Sequence, residues 1–465
     1  MYSPSEVEKF LARNTDSWDF IKDVDKKDLI EQIHELGGNS FKTVPFVHQL
    51  ASFLLGTHKE SFLYYLFCGA GKSKIVLDIL NYFFNNKKIS KTLILVPYTI
   101  TIESWVEQIK EHSNFTYLPL LGTTKQRWEL IKNCNDYDLV GLSYPGLTAM
   151  IPYSITKIKN KKRILLDYEK LDEFSNYFDS IIYDEIHEIK GFQTIIFSIC
   201  KYLSSKYKYK YGLTGTPTSR NLEDLWSQFY LIDGGETLGK TISFYRQAFF
   251  EQKKNYWGGY DYKINKDKKS LLMKIIKNIS ISYKDTEVFD LPEKINIKRY
   301  LLPTKQQTEF YKKAIEGIIE AKGDITLLDN SFVKLRQITS GFIKFISNEG
   351  EEVKIIFDEN PKLNALLEIL NEIGDEKLVV FNDYTITGDI ICDKLKQEKI
   401  GYERLYGDTE DKYETMQRFL NEKDCRVYVV NSNSGAMSLN LQKAHYQVYF
   451  ESPVSPIVRE QSECR

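Results

Sequence analysis

The sequence lacks the short cysteine and histidine motifs that bind zinc. No two of its six cysteines form a C-x-x-C pair, and no histidine stands beside them at ligand spacing. The cysteines are Cys68, Cys134, Cys200, Cys392, Cys425 and Cys464. We therefore expect neither a zinc site nor a disulfide framework, and a reducing cytoplasm is the natural setting.

Signals for export and for membrane insertion are also missing. Residues 1–20 are polar and mixed in charge, without the basic start and apolar centre of a signal peptide. No uncharged apolar stretch reaches the roughly 18 residues that a spanning helix needs. The sequence predicts a protein that is neither exported nor placed in a membrane.

Neither sign of charge is in excess. The chain has 63 Lys and Arg against 64 Asp and Glu, for a net charge of −1. This balance argues against an extended basic coat for nucleic acid but leaves room for a local positive groove. The densest basic segments are Lys157–Arg163 and Lys201–Tyr211, and a solvated face is the default interpretation of either one.

The 465 residues, 42% hydrophobic and 27% charged, form an ordinary globular composition. At about 150 residues per domain, that length allows roughly three units or two larger ones. Apolar runs alternate with amphipathic segments, a pattern that predicts parallel sheets covered by helices. The runs of the first series are Ser61–Phe67, Thr92–Pro97, Leu139–Ser143, Ile181–Tyr183 and Tyr211–Thr214, and those of the second are Lys377–Phe381, Arg426–Asn431 and Gln447–Phe450.

A glycine-rich loop follows the first apolar run and precedes the amphipathic run Ile75–Asn85. Its glycines let backbone N–H groups approach phosphate oxygens at the start of a helix. We expect Lys72 to reach the β- and γ-phosphates and Ser73 to bind Mg²⁺. Leu66 stands where the strict loop pattern has glycine, and a simple turn is the alternative interpretation. The predicted nucleotide-binding residues of the loop are Cys68, Gly69, Ala70, Gly71, Lys72, Ser73 and Lys74.

Two adjacent carboxylates end the apolar run Ile181–Tyr183. We expect Asp184 to coordinate Mg²⁺ and Glu185 to orient or deprotonate the attacking water. Acidic pairs after strands also cap helices, which is the alternative. The glycine loop upstream favours the catalytic interpretation.

Residues 184–187, Asp-Glu-Ile-His, resemble the DEAH-box variant of superfamily-two helicases. The neighbouring segments narrow the resemblance to Swi/Snf-type ATPases. Residues 93–97 with Trp105 are similar to motif Ia of that family, and residues 213–217 (LTGTP) with 221–226 (NLEDLW) are similar to motif III and its continuation. Residues 334–338 (KLRQI) and 434–441 are similar to its helical signature and its motif V. The similarity follows the family's order over about nine-tenths of the chain.

The resemblance implies an α/β fold of two tandem RecA-like lobes with helical insertions and an ATP cleft between the lobes. We expect a helical extension over residues 1–42, lobe 1 over 43–290 with an insertion at about 233–290, and lobe 2 over 291–465 with an insertion at about 304–345. Ser438 replaces a motif V glycine, and the paired arginines before the Leu-Pro segment are missing. Motif VI stops at Arg465, so we expect the reading frame to continue.

The resemblance also implies further site residues. Gln49 takes the place of the glutamine that reads the adenine edge, although an isolated glutamine is more often a surface residue. Arg465 is expected to stabilise the γ-phosphate charge, and a further arginine of the family is absent. The residues expected to couple the sites are His187, Thr214, Gly215, Thr216 and Gln461. Candidate DNA contacts, each of which could instead cap a helix or a turn, are Thr99, Thr101, Ser143, Tyr144, Asn382 and Ser434.

The implied activity is that of an ATP- and Mg²⁺-dependent DNA translocase that tracks along duplex DNA to remodel or displace bound protein. One alternative is a helicase that separates strands of DNA or RNA. Another is an ATP-gated nucleic-acid-binding module without efficient hydrolysis. We expect a monomer in the cytoplasm of a bacterium or a phage-infected host, resembling stand-alone phage or bacterial members of the family, with no membrane contact.

Overall fold

A computed structural model gives the architecture for most of the chain. The described residues are 18–38, 40–158, 161–217, 221–254, 259–288, 295–321, 324–327, 331–347, 350–432, 441 and 444–463. They form two compact units, residues 1–291 and residues 292–465.

Unit 1 is built on a seven-stranded parallel sheet with the strand order β11-β1-β8-β7-β2-β4-β3. Its inner strands are continuous apolar runs because helices cover both faces. The strands are β1 (Ser61–Leu66), β2 (Thr92–Val96), β3 (Tyr117–Pro119), β4 (Leu139–Ser143), β7 (Ser180–Asp184), β8 (Tyr209–Thr214) and β11 (Ser280–Tyr283).

Two hairpins stand apart from this sheet, and eleven α-helices are described in the unit. The hairpins pair β5 (Tyr153–Ile158) with β6 (Lys161–Leu166), and β9 (Phe250–Lys254) with β10 (Tyr260–Ile264). The helices are α1 (Lys26–Glu35), α2 (Val47–Lys59), α3 (Lys72–Asn85), α4 (Thr99–His112), α5 (Thr124–Lys132), α6 (Tyr144–Met150), α7 (Tyr168–Ser175), α8 (Ile195–Lys206), α9 (Leu225–Asp233), α10 (Ile242–Phe249) and α11 (Lys266–Ile276).

The core of unit 1 lies on both faces of the sheet. Along β1, Leu63 and Tyr65 pack into one hydrophobic cluster, whereas Phe62 and Tyr64 pack into the other. The alternation follows from the two-residue period of a strand. Leu29 of α1 joins the second cluster, so the described part of the N-terminal segment packs onto this unit.

The region from 233 to 290 is less helical than its sequence predicts. It contains α10 and α11 but also the β9–β10 hairpin and strand β11. Strand β11 pairs in parallel with β1, for example Leu63 with Ser280, and forms an edge of the main sheet. This end of the region therefore completes the sheet.

Unit 2 has a four-stranded parallel sheet with the order β17-β18-β16-β19. Its elements are α12 (Lys305–Ile315), β12 (Ile318–Ala321), β13 (Asp324–Leu327), α13 (Ser331–Thr339), β14 (Phe342–Ile346), β15 (Glu352–Ile356), α14 (Pro361–Glu372), β16 (Leu378–Asn382), α15 (Thr385–Gln397), β17 (Gly401–Leu405), α16 (Lys412–Asn421), β18 (Cys425–Asn431), β19 (Tyr446–Tyr449) and α17 (Pro456–Glu463). The region 304–345, predicted to be helical, also holds strands of two antiparallel pairs, β12–β13 and β14–β15.

Within the described residues, no helix combines the length and the apolar character needed to cross a lipid bilayer.

Candidate nucleotide site

The glycine loop connects strand β1 directly to helix α3. Gly69 and Gly71 have φ angles of +86° and +78°, in the left-handed region that glycine adopts without steric cost. Gly71 is the residue that precedes α3, whose first backbone N–H groups have no partner within the helix. The local sequence therefore builds a loop whose amides lie at a helix N-terminus, the arrangement that binds phosphate.

Lys72, the first residue of α3, folds back over this loop. Its ammonium donates to the carbonyl oxygens of Leu66 at 3.1 Å and Phe67 at 3.3 Å. Both acceptors are neutral, whereas hydrogen bonds to an anion are about twice as strong. A phosphate could therefore displace these bonds.

Helix α2 braces the loop from behind. His48 Nε2 lies 2.8 Å from the Ala70 carbonyl oxygen, and Gln49 Nε2 donates to the same oxygen at 3.2 Å. The Gln49 side-chain oxygen also accepts the Phe46 N–H at 3.0 Å. Gln49 is only 5% exposed, so in this structure its amide holds the loop, and its predicted contact with adenine stays a prediction.

Lys74 follows the loop but its side chain leaves it. Its ammonium forms a buried ion pair with Asp78 at 2.7 Å and donates to the Thr43 carbonyl at 3.0 Å. Burial, opposed by Lys74, raises the pKa of Asp78 to about 6. The side chain of Lys74 thus ties α3 to the segment before α2, while its backbone remains near the loop. Ser73 is half-buried beside it.

Asp184 ends β7 and is held by donors on three sides. Its carboxylate accepts the indole N–H of Trp105 at 3.0 Å and the backbone N–H of Glu185 at 3.0 Å. Its carbonyl oxygen accepts the hydroxyl of Tyr144 at 2.7 Å. Burial and the neighbouring Glu185 raise the pKa of Asp184 to about 6, while Trp105 and the charge of Lys72 oppose the rise. The charge of Lys72 therefore acts on this carboxylate.

His187 lies between two glutamates just after the strand. Its Nδ1 is 3.2 Å from Glu185 Oε2, and its Nε2 is 3.2 Å from Glu188 Oε1. Burial disfavours the charged ring, but the bonds to both carboxylates outweigh it and raise the pKa of His187 to about 9. Glu185 itself has a φ of +47°, a left-handed conformation that is costly outside glycine and common at functional sites.

The Thr-Gly-Thr segment, residues 214–216 at the end of β8, joins the glycine loop and the acidic pair. Thr214 Oγ1 lies 2.8 Å from His187 Nδ1 and accepts the Thr216 N–H at 3.1 Å. A Cβ atom added to Gly215 would lie 3.3 Å from the Leu66 carbonyl oxygen and 3.8 Å from Lys72 Nζ. Because β8 lies between β1 and β7 in a parallel sheet, the three segments end at one edge. The structure therefore brings together Lys72, Asp184, Glu185, His187 and Gly215.

The predicted DNA contacts are differently placed. Thr99 is exposed at the start of α4, whereas Thr101 is buried. The Ser143 hydroxyl accepts the Gly146 N–H at 3.1 Å and so caps α6, and Tyr144 binds Asp184 as described. Asn382 is fully buried in unit 2 and donates to the Tyr384 carbonyl at 2.7 Å. In this structure, the side chain of Asn382 offers no surface to a phosphate.

Three predicted residues cannot be placed. Ser434 and Arg465 lie outside the described residues, as does the side chain of Gln461. The sequence missed the brace of His48 and the indole of Trp105 as a donor to Asp184. Trp105 stands 79 residues from Asp184, and only its place in a family motif marked it out.

Two parallel α/β units, the first with a phosphate-type loop after β1 and an acidic pair after β7, are the architecture of helicase-type ATPases. The SNF2-related domain family matches residues 58–354, and the helicase conserved C-terminal domain matches residues 361–465. The chain belongs to the SNF2-related domain family, which makes it an ATPase of helicase superfamily two.

Individual relatives are distant. The chain is 24% identical to protein p41 of Acyrthosiphon pisum secondary endosymbiont phage 1, over 73% of this chain and 72% of that protein. It is 24% identical to an uncharacterized ATP-dependent helicase of Mycoplasma genitalium and to the ISWI chromatin-remodeling complex ATPase of Saccharomyces cerevisiae, over 82% and 83% of this chain. It spans 34% of the length of each of these two.

A solved structure is also similar. The Sulfolobus solfataricus SWI2/SNF2 ATPase core in complex with dsDNA aligns with a TM-score of 0.43 at 21% identity. The alignment covers 89% of this chain and 83% of that one.

Proposed function

We propose that the protein is an ATP-dependent DNA translocase that moves along duplex DNA to remodel or displace bound protein. The observation that carries this proposal is the meeting of the Lys72 loop, the Asp184-Glu185 pair and Gly215 at one edge of the unit 1 sheet. A nucleotide bound there would touch three segments that lie far apart in sequence. Family membership supports the step from nucleotide binding to work on nucleic acid.

The loop and Lys72 bind the phosphates of ATP in this mechanism. The loop amides offer fixed donors at the N-terminus of α3, so little reorganisation is needed when phosphate arrives. Lys72 exchanges its two carbonyl acceptors for phosphate oxygens. Gln49 and His48 hold the Ala70 carbonyl and so keep the loop open towards the ligand.

Ser73 and Asp184 fit a magnesium ion, since hydroxyl and carboxylate oxygens are the ligands Mg²⁺ prefers. When bound, the ion neutralises charge on the phosphates. Trp105 fixes the Asp184 carboxylate and opposes the rise of its pKa, which favours the ionised form. Arg465 and Gln461 stay candidates for the charge-stabilising and coupling roles that their motif implies.

Glu185 orients or deprotonates the attacking water, and His187 positions the Glu185 carboxylate. In the structure, the Glu185 carboxylate lies 3.2 Å from His187 Nδ1, so the imidazole holds it in place. Thr214 contacts the same imidazole nitrogen of His187. Movement of the Thr214 segment would therefore change how His187 holds the Glu185 carboxylate. The residues thus link the glutamate to the strand that separates the two motifs in the sheet.

Contacts to the phosphates of a nucleic acid orient a protein on it without recognising the base sequence. Thr99 is the exposed candidate for such a contact. Relatives named as helicases and as a chromatin-remodeling ATPase support a nucleic-acid substrate, and phage and mycoplasma sources support action in a bacterial cell.

Triplex displacement and strand separation distinguish the translocase from a helicase. We expect ATP-driven release of a triplex-forming strand from duplex DNA, with no separation of the duplex itself. Glu185→Gln should bind ATP but release nothing, and Lys72→Ala should lose ATP binding. Strand separation without triplex release would favour the helicase, and release by Glu185→Gln would contradict the assigned chemistry.

A further inference from the structure

The β5–β6 hairpin is a projection that the nucleotide site does not use. Its strands pair antiparallel from Tyr153 with Leu166 to Ile158 with Lys161, in a sheet of their own. Six residues per strand correspond to about 20 Å of length. Ser154, Ile155, Arg163 and Leu165 are all exposed, so both strands face solvent over much of their length.

All charged side chains of the hairpin are cationic. Residues 153–166 contain no Asp or Glu. The cations on the two strands are Lys157, Lys161, Lys162 and Arg163. Lys157 and Lys162 are direct cross-strand partners, an arrangement that destabilises a sheet. An anion bound between these two positions would relieve this repulsion.

In the other dense basic segment, Lys201–Tyr211, two of the four lysines have internal ion pairs. Lys206 pairs with Asp172 at 2.8 Å, and Lys208 pairs with Glu60 at 2.7 Å. Arg163, in contrast, has no ion pair with any residue that the structure describes. Arg163 is therefore an exposed cation that can bind an external anion.

The base of the hairpin is fixed beside the nucleotide site. The Asp167 N–H donates to the Pro152 carbonyl at 2.9 Å and closes the base. A groove of about 680 Å³ at this base is lined by Tyr153 together with Tyr144, whose hydroxyl binds Asp184. A ligand on the hairpin would thus be held on the same rigid unit as the ATP site.

We propose that the β5–β6 hairpin is a contact surface for the phosphate backbone of duplex DNA, additional to the motif residues. The inference rests on the proposed function, which supplies the polyanion. Lysine and arginine recognise phosphates along a backbone without sequence preference, as a moving enzyme requires.

The salt dependence of DNA binding tests this surface. Fluorescence anisotropy with a labelled duplex, across a potassium chloride series, gives the slope of log Kd against log salt. Removing one phosphate contact should make that slope shallower by about 0.9. We expect Lys157→Gln combined with Lys162→Gln to reduce it by about 1.8, and Arg163→Gln alone by about 0.9.

The matched control removes the same charge from the two ion-paired lysines of the other basic segment. Lys206→Gln combined with Lys208→Gln should keep the wild-type slope. DNA-independent ATPase activity and thermal melting should be unchanged in the hairpin variants. If the double variant misfolds, the slope measured for Arg163→Gln tests the inference by itself.

An unchanged slope in folded hairpin variants would overturn the inference but leave the translocase proposal standing. A wild-type chain that binds no duplex at all would overturn both. Wild-type DNA binding in the variants, with loss of binding to anionic lipid vesicles, would assign the hairpin to a membrane and also refute the inference. DNA binding that depends on the hairpin without ATPase stimulation would support the hairpin and count against the motor.

Discussion

Asp184 shows how single residues in this site are set by their neighbours. Burial and Glu185 push its pKa up, while the indole of Trp105 and the ammonium of Lys72 hold it near 6. Trp105 and Lys72 thus favour the ionised form of a carboxylate that must be ionised to bind a cation. Loss of one donor should therefore be visible in the pH dependence of activity.

Trp105→Phe removes the indole N–H but keeps an aromatic ring. A hydrogen bond to a charged group contributes about 1.5–3 kcal/mol, so the pKa of Asp184 should rise by about one unit or more. We expect the acid limb of the ATPase pH profile to move up by that amount. Trp128→Phe is the control, since the Trp128 indole donates to the Met150 carbonyl at 3.3 Å, away from the site. Equal profiles for Trp105→Phe and wild type would refute the positioning role.

His187 should make the stability of the protein depend on pH. Its pKa is raised from 6.5 to about 9, so its contribution is complete below about pH 6.5 and is lost as the pH rises through 9. The loss could reach about 3 kcal/mol. Urea unfolding at about pH 6 and about pH 9 should show a larger loss for wild type than for His187→Gln. The same loss in both proteins would contradict the ion-paired imidazolium.

Contacts between residues that are distant in sequence are the part of the site that the sequence predicts least well. The Asp-Glu pair and the Gly-Lys-Ser loop are local patterns, and the structure places both at strand ends. The contact of Trp105 with Asp184 and the brace of His48 on Ala70 join residues that are distant in sequence. No local pattern encodes such contacts, because they depend on which strands become neighbours.

At the scale of elements, the two glycines of the loop between β1 and α3 exclude larger residues for different reasons. Gly69 and Gly71 both have positive φ, so alanine at either position costs about 1–2 kcal/mol of backbone strain. Only at Gly71 would the new Cβ meet another group, since Gln49 Nε2 would lie 2.3 Å away. Gln49 can move only by giving up its bonds to Ala70 and Phe46.

Gly71→Ala should therefore destabilise the protein more than Gly69→Ala, by about 1–2 kcal/mol, because two hydrogen bonds of Gln49 are broken. Thermal or urea unfolding without nucleotide measures the difference. Adding Gln49→Ala should shrink the gap, because the clashing amide is gone. Equal losses at the two glycines would show that Gln49 does not brace the loop.

The sequence predicted long buried elements and missed short exposed ones. The run Leu139–Ser143 coincides with β4, and the run Ser61–Phe67 exceeds β1 by one residue. Strands with both faces covered are continuous apolar runs and are easily seen. Strands β3 and β11 have only three and four residues, too few for a period, and the β5–β6 hairpin is exposed and basic. The order of strands in the sheet has no signal in one sequence.

At the scale of the whole molecule, the proposed motor requires that nucleotide turnover be converted into movement. Unit 1 holds the loop and the acidic pair at the edge of its main sheet and carries the basic hairpin as a separate pair of strands. Unit 2 has its own parallel sheet and core. Helix α13 is joined to the rest of this unit through Arg336, which forms an ion pair with Asp383 and donates to the Ser452 carbonyl at 2.7 Å. Two such units in one chain supply the two bodies that such a conversion needs.

Steady-state ATP hydrolysis with duplex DNA, single-stranded DNA and RNA at matched salt tests the central claim most directly. We predict that duplex DNA stimulates turnover above the DNA-free rate and above the rates with the other two, and that Lys72→Ala and Glu185→Gln abolish it. Hydrolysis that no nucleic acid accelerates would contradict the proposed translocase.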